Sequence, residues 1–119
     1  MATVGASFYM NRTETTKLLE SIHAKDQQAI RDFRAGKINT EELEEVNMKH
    51  LKIFLKILKS SGFPTIKNSS YTAYKTAILI ALHSGDQKLL EDTAAFLHNA
   101  SADEIEKSDL AFVTDRSRI

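Results

Sequence analysis

Residues 77–86 read AILIALHSGD, and this stretch constrains the fold more than any other. Tyr71, Tyr74, Ile78, Ala81 and Leu82 fall on one face of a helix, while Leu79 and Ile80 fall on the other. From Ala77 onward such a helix is apolar nearly all round, so it must be covered from several sides. A chain of 119 residues has room for a single core. The helix is therefore expected at the centre, with every other element packed around it.

Glycine and proline mark where those other elements stop. Gly36, Gly62 and Gly85 fall at expected helix C-termini, and Pro64 follows the second of them. Leu18, Leu19, Ile22, Ala29, Ile30 and Phe33 share one face of a first helix between residues 13 and 35. The segment INTEELEEVNMKHLKIFLKILKSSG opens with Asn39 three residues before Glu42, the spacing of a capping box. Its inner stripe is Leu43, Val46, Leu51, Ile53, Phe54, Ile57 and Leu58. Ser69 or Ser70 can cap the central helix, which ends near His83. Asp86 then caps a fourth helix with Leu89, Leu90, Thr93, Phe96 and Leu97 inward, and a short fifth helix is expected over residues 102–112. The tail VTDRSRI carries too little pattern to assign.

No stretch alternates as a strand would, and no repeat or low-complexity segment is present. The fold class is all-α: a compact bundle of about five helices around a central apolar helix, one domain spanning residues 13–119. Residues 1–12 are expected to form a flexible or docking segment, because the aromatic SFYM at residues 7–10 has no helix of its own to bury in.

Charge and composition narrow the function. Lysine plus arginine and aspartate plus glutamate stand at 16 each, so no net field draws the chain to nucleic acid or an anionic membrane. The absence of cysteine excludes disulfides, thiolate nucleophiles and thiolate zinc sites. The apolar runs IFLKIL and TAILIAL fall far short of the roughly 20 residues a bilayer demands. MATVGASFYMNRTE lacks a basic region followed by a sustained apolar one, so no signal peptide is read and a cytoplasmic location is expected. The histidines at 23, 50, 83 and 98 show no His-x-x-x-His spacing, and no phosphate loop or Gly-x-Ser-x-Gly occurs. No metal or other cofactor is expected.

Candidate site residues are the polar ones that interrupt apolar stripes, since an unpaired polar group there costs free energy. Asp26 lies between Ile22 and Ile30 on the first helix; Asn47 and His50 sit among Val46, Leu51 and Phe54 on the second; His83 ends the third beside Leu79 and Ile80. Each also has a plain structural explanation. An Asp or Asn can cap a neighbouring loop, and a histidine in a last helical turn interacts favourably with the C-terminal end of the dipole. Lys49, Lys52, Lys56 and Lys59 line the outer side of the second helix, where a solvated face explains them better than a binding stripe.

The order of several short motifs resembles an uncharacterised bacterial all-helical domain family of unknown function. The matching stretches are KDQQAIR, VNMKHLK, GFPT, IALHSGDQ and LAFVTDR, which cover the chain from about Leu18 onward. The resemblance falls on Asp26, Gln27, Asn47, Gly62, Pro64, His83, Asp115 and Arg116. Phe63 stands where that family has tryptophan, and Leu82 where it has the glutamine before histidine. The family's terminal Tyr-Gly-Thr-Gln-like motif does not follow the Asp-Arg pair, so a divergent or C-terminally shortened member is expected. The resemblance implies a fold and a site location, not a reaction.

Two functions fit these observations. The first is a small interaction module that binds a protein partner or its own copy through a helix face, with Asn47, His50, Asp115 and Arg116 as binding candidates. The second is a small hydrolase-like or transferase-like enzyme, with Asp26 and His83 as an acid–base pair and Arg116 holding an anionic substrate group. The enzyme requires Asp26, His83 and Arg116 to line one open concavity that neither Phe63 nor Leu82 fills.

Overall fold

The computed structural model describes residues 11–118. It contains five helices: α1 (Arg12–Arg34), α2 (Thr40–Ser61), α3 (Tyr71–His83), α4 (Gln87–Asn99) and α5 (Lys107–Ser117). No strand occurs among the described residues. The aromatic segment at residues 7–10 lies outside them.

Four of the helices begin where a side chain can take over a free backbone N–H. Asn39 and Glu42 form the capping box their spacing implies: the Glu42 amide donates to Asn39 Oδ1 at 2.8 Å, and the Asn39 amide to Glu42 Oε1 at 3.0 Å. Asn11 and Glu14 build the same device on α1. Ser70 Oγ accepts from the Ala73 amide at 3.1 Å, and Asp86 Oδ1 from the Leu89 amide at 3.0 Å. At the other ends, Gly62 and Gly85 take φ of +76° and +70°. These values favour glycine, so the stops after α2 and α3 are specified by residue type.

The apolar character of α3 places it at the centre. It packs against all four other helices, with the α1–α2 pair on one side and the α4–α5 pair on the other. Ala73, Ala77 and Ala81 recur every fourth residue on α3 and are completely buried. Their small side chains let neighbouring helices approach closely. Leu19 from α1 and Phe54 and Ile57 from α2 fill the core on one side, and Leu97 and Val113 on the other. Phe63 follows the α2 stop and joins the halves, its ring edge-on to Phe54 with centroids 5.9 Å apart and 5.0 Å from Phe96.

The structure corrects the sequence expectation at two places. The fifth helix runs over Lys107–Ser117 rather than residues 102–112, so the unassigned tail is largely helical. Tertiary hydrogen bonds hold the preceding chain out of the helix: the Ile66 amide donates to the Glu104 carbonyl at 2.8 Å, and the Glu106 amide to the Tyr74 hydroxyl at 3.1 Å. The covering of α3 is also incomplete. Tyr71 turns outward and its hydroxyl donates to Glu106, while Leu79 stays 37% exposed. The side of α3 that carries Leu79 faces a cleft.

Candidate ligand-binding cleft

The cleft lies where α1, α2 and α3 meet. Ile22, His23 and Asp26 reach it from α1, Asn47, Met48, His50 and Leu51 from α2, and Thr76, Leu79, Ile80 and His83 from α3, with Ser84 just beyond. Spacings of three and four residues put each set on one helical face: His23 and Asp26, Asn47 and His50, Thr76 and Leu79, Leu79 and His83. Four polar candidates that interrupt apolar stripes thus converge on one concavity of about 50 Å³, room for a few waters or one small functional group.

Their hydrogen-bonding state, which His23 shares, sets them apart from the two hydroxyl groups of the cleft. Thr76 Oγ1 donates to the Thr72 carbonyl at 2.7 Å and Ser84 Oγ to the Ala81 carbonyl at 2.8 Å, so both hydroxyls serve the local backbone. Asp26, Asn47, His50 and His83 make no hydrogen bond to another described residue. For the exposed Asn47 and His83 and the half-buried Asp26, water can satisfy that capacity. His50 is different, because its residue surface is only 6% exposed. Thr93 Oγ1 is the sole fully buried side-chain polar atom without a partner among the described residues. The His50 ring nitrogens therefore retain solvent contact, and the concavity their ring lines provides it.

Burial holds the His50 imidazole below its ordinary pKa, against the pull of the Asp26 carboxylate and with the help of Lys25 and Lys49. At neutral pH its ring is uncharged, with one nitrogen donating and one accepting. The Asp26 carboxylate acts on it from α1 across the cleft. Among the described residues no lysine or arginine lines the concavity. No group of three or more His, Asp or Glu side chains among the described residues is arranged to hold a metal ion.

Asp115 and Arg116 lie elsewhere. Both are exposed on α5, outside the cleft, and neither forms an ion pair with another described residue. The Gln87 side-chain amide donates to the Ser117 carbonyl, which ties the end of α5 to the start of α4. Phe63 and Leu82 do not fill the cleft: Phe63 is in the core, and Leu82 packs half-buried against it.

A second polar cluster escaped the sequence. The Tyr74 hydroxyl donates to Asp109 Oδ2 at 2.7 Å, and Lys75 Nζ reaches Asp109 Oδ1 at 2.9 Å and Glu106 Oε1 at 3.0 Å. Every member has a partner, so the cluster fastens α5 onto α3. Its only signal was that Asp109 precedes Val113 by four residues, which puts a carboxylate on the buried face of α5.

Among the described residues the fold is all-helical, with a small, mixed polar and apolar concavity beside the central helix. No protein-family model matches the chain, and no curated protein or solved structure matches it either. No helix of the described residues is long and apolar enough to cross a membrane.

Proposed function

We propose that this protein is a small helical interaction module whose recognition point is the cleft between α1, α2 and α3. The observation that carries this is the free hydrogen-bonding capacity of Asp26, Asn47, His50 and His83 around a single concavity. A folded chain normally pairs the polar groups it buries. Here a nearly buried imidazole keeps its capacity directed into a cleft, which suits a group supplied from outside. Met48, 53% exposed, and Leu79, 37% exposed, border the same cleft and offer apolar surface to whatever carries that group. The volume of about 50 Å³ suits the end of a side chain rather than a whole metabolite.

The catalytic alternative, with Asp26 and His83 as acid and base, relied on Arg116 to hold an anion at the same place. Arg116 does not line the cleft, so recognition is the better supported function. We also propose that the chain is a divergent member of the bacterial family its motifs resemble, since three motif positions, Asp26, Asn47 and His83, meet at the cleft.

Histidine-ring NMR of the full chain tests the recognition function. Small probes carrying ammonium, carboxylate, amide or hydroxyl groups should include at least one that shifts the His50 and His83 resonances saturably. His98, which lies outside the cleft, should be unaffected. If no probe gives a saturable shift at the cleft, the proposal is overturned.

A further inference from the structure

We infer that the group this cleft takes is a primary alkylammonium, the end of a lysine side chain presented by a partner protein. The inference rests on the cleft being a recognition site and goes further by assigning the chemistry of its occupant.

Charge selects the sign. Among the described residues Asp26 is the one carboxylate lining the cleft, and no lysine or arginine lines it. An anion there would meet the Asp26 carboxylate in the lining itself; a cation would find its counter-charge in place. Lys25 and Lys49 act on His50 from outside the lining, and Asp26 has a larger charge effect on that ring than either lysine alone.

Donor and acceptor counting selects the group. Asp26 carries carboxylate oxygens, Asn47 an amide oxygen, and the neutral His50 ring one accepting nitrogen, and none is engaged by another described residue. An ammonium has three donors and no acceptor, so a cleft to which two helices bring three acceptors suits it. The compact ammonium also fits a volume of about 50 Å³ better than a planar guanidinium with its five donors.

The apolar walls account for the stem. Leu79 and Met48 are among the few large apolar side chains left exposed, and both border the cleft. A lysine lays its methylenes along apolar surface while its charged head seeks polar partners. Leu79 at the wall and Asp26 on the opposing helix supply those two environments together.

The test is a titration of the full chain followed by its histidine-ring and amide NMR signals at pH 7.5 and fixed ionic strength. The probes are Nα-acetyl-lysine-N-methylamide, n-butylammonium, n-butanol and butyrate. The lysine derivative and butylammonium should shift His50 and His83 saturably, and butanol and butyrate should bind at least about tenfold more weakly, the loss expected when one charge-assisted contact is absent. Asp26→Asn should weaken both amines by a similar factor while the spectrum stays that of the folded chain. Equal binding of butanol or butyrate, or unchanged amine binding by Asp26→Asn, overturns the ammonium assignment but leaves recognition at the cleft standing. Binding of butylammonium without the lysine derivative overturns the partner lysine in favour of a free amine. Failure of all four probes, together with amide and hydroxyl probes, overturns recognition itself.

Discussion

The Tyr74 hydroxyl donates to Asp109 at 2.7 Å while accepting from the Glu106 amide at 3.1 Å, so one phenol fastens the central helix to both the first turn of α5 and the chain leading into it. Lys75, next along α3, bonds the side-chain carboxylates of both Glu106 and Asp109. The pairing explains why α5 starts at Lys107: Glu106 and Asp109 are held by α3, and the turn before them is held by Ile66.

Tyr74→Phe should destabilise the fold by about 1–3 kcal/mol, because the ring still packs but the Glu106 amide and an Asp109 lone pair lose their partner. Urea denaturation would measure the change. A loss below roughly 0.5 kcal/mol would mean that the Lys75 bonds alone hold α5 in place.

The same phenol sets an alkaline limit on stability. Burial raises the Tyr74 pKa well above its ordinary value, and the Asp109 and Glu106 carboxylates add to the rise, against the Glu106 amide. Burial acts the other way on Lys75, but its bonds to Asp109 and Glu106 outweigh it and its pKa is raised too. Both groups bind protons more tightly in the folded chain, so their contribution is whole below about pH 10 and is lost as pH rises beyond it. Thermal melts between pH 8 and 11 should show this decline. Tyr74→Phe should flatten it in part, leaving the share due to Lys75.

Asn39→Ala should cost about 0.5–2 kcal/mol, the usual effect of removing an N-cap side chain. It should leave the cleft unaltered, since Asn39 is exposed at the start of α2 and Asn47 is two turns further on. Urea denaturation together with an unchanged His50 ring spectrum would check both parts.

What could be read from the residues follows the range over which each feature is encoded. The Asn39–Glu42 box and the glycine stops at Gly62 and Gly85 are local, and the structure has them where the spacing puts them. The central position of α3 follows from its own apolar circumference and needs no knowledge of the partners. The start of α5 is the opposite case, because the hydrogen bonds that fix it come from Tyr74 and Ile66, more than thirty residues away. Asp26, Asn47, His50 and His83 each show as a polar interruption of an apolar stripe. Their meeting depends on how three helices are packed, which no single periodicity contains. Leu79 misleads for the same reason: its helix is apolar on that side, yet the facing surface opens into a cleft.

The cleft residues should behave as ligand groups in their effect on stability. Asp26→Asn and His83→Ala remove no hydrogen bond to a described residue, so each should shift stability by no more than about 0.5 kcal/mol. His50→Leu should stabilise the chain by about 1 kcal/mol, because an apolar side chain of similar reach replaces a nearly buried polar one that has no hydrogen-bond partner among the described residues. The gain should grow in acid. His50 has a lowered pKa in the folded chain, mainly through burial, so the unfolded chain takes up its proton first as pH falls. Its contribution is whole above about pH 6.5 and is lost as pH drops through the folded value, a loss that leucine does not share. Denaturation of His50→Leu and the parent chain from pH 7.5 to 4.5 would therefore give diverging curves. A destabilised His50→Leu, or curves that stay parallel, would assign His50 to the packing of α2 rather than to the cleft.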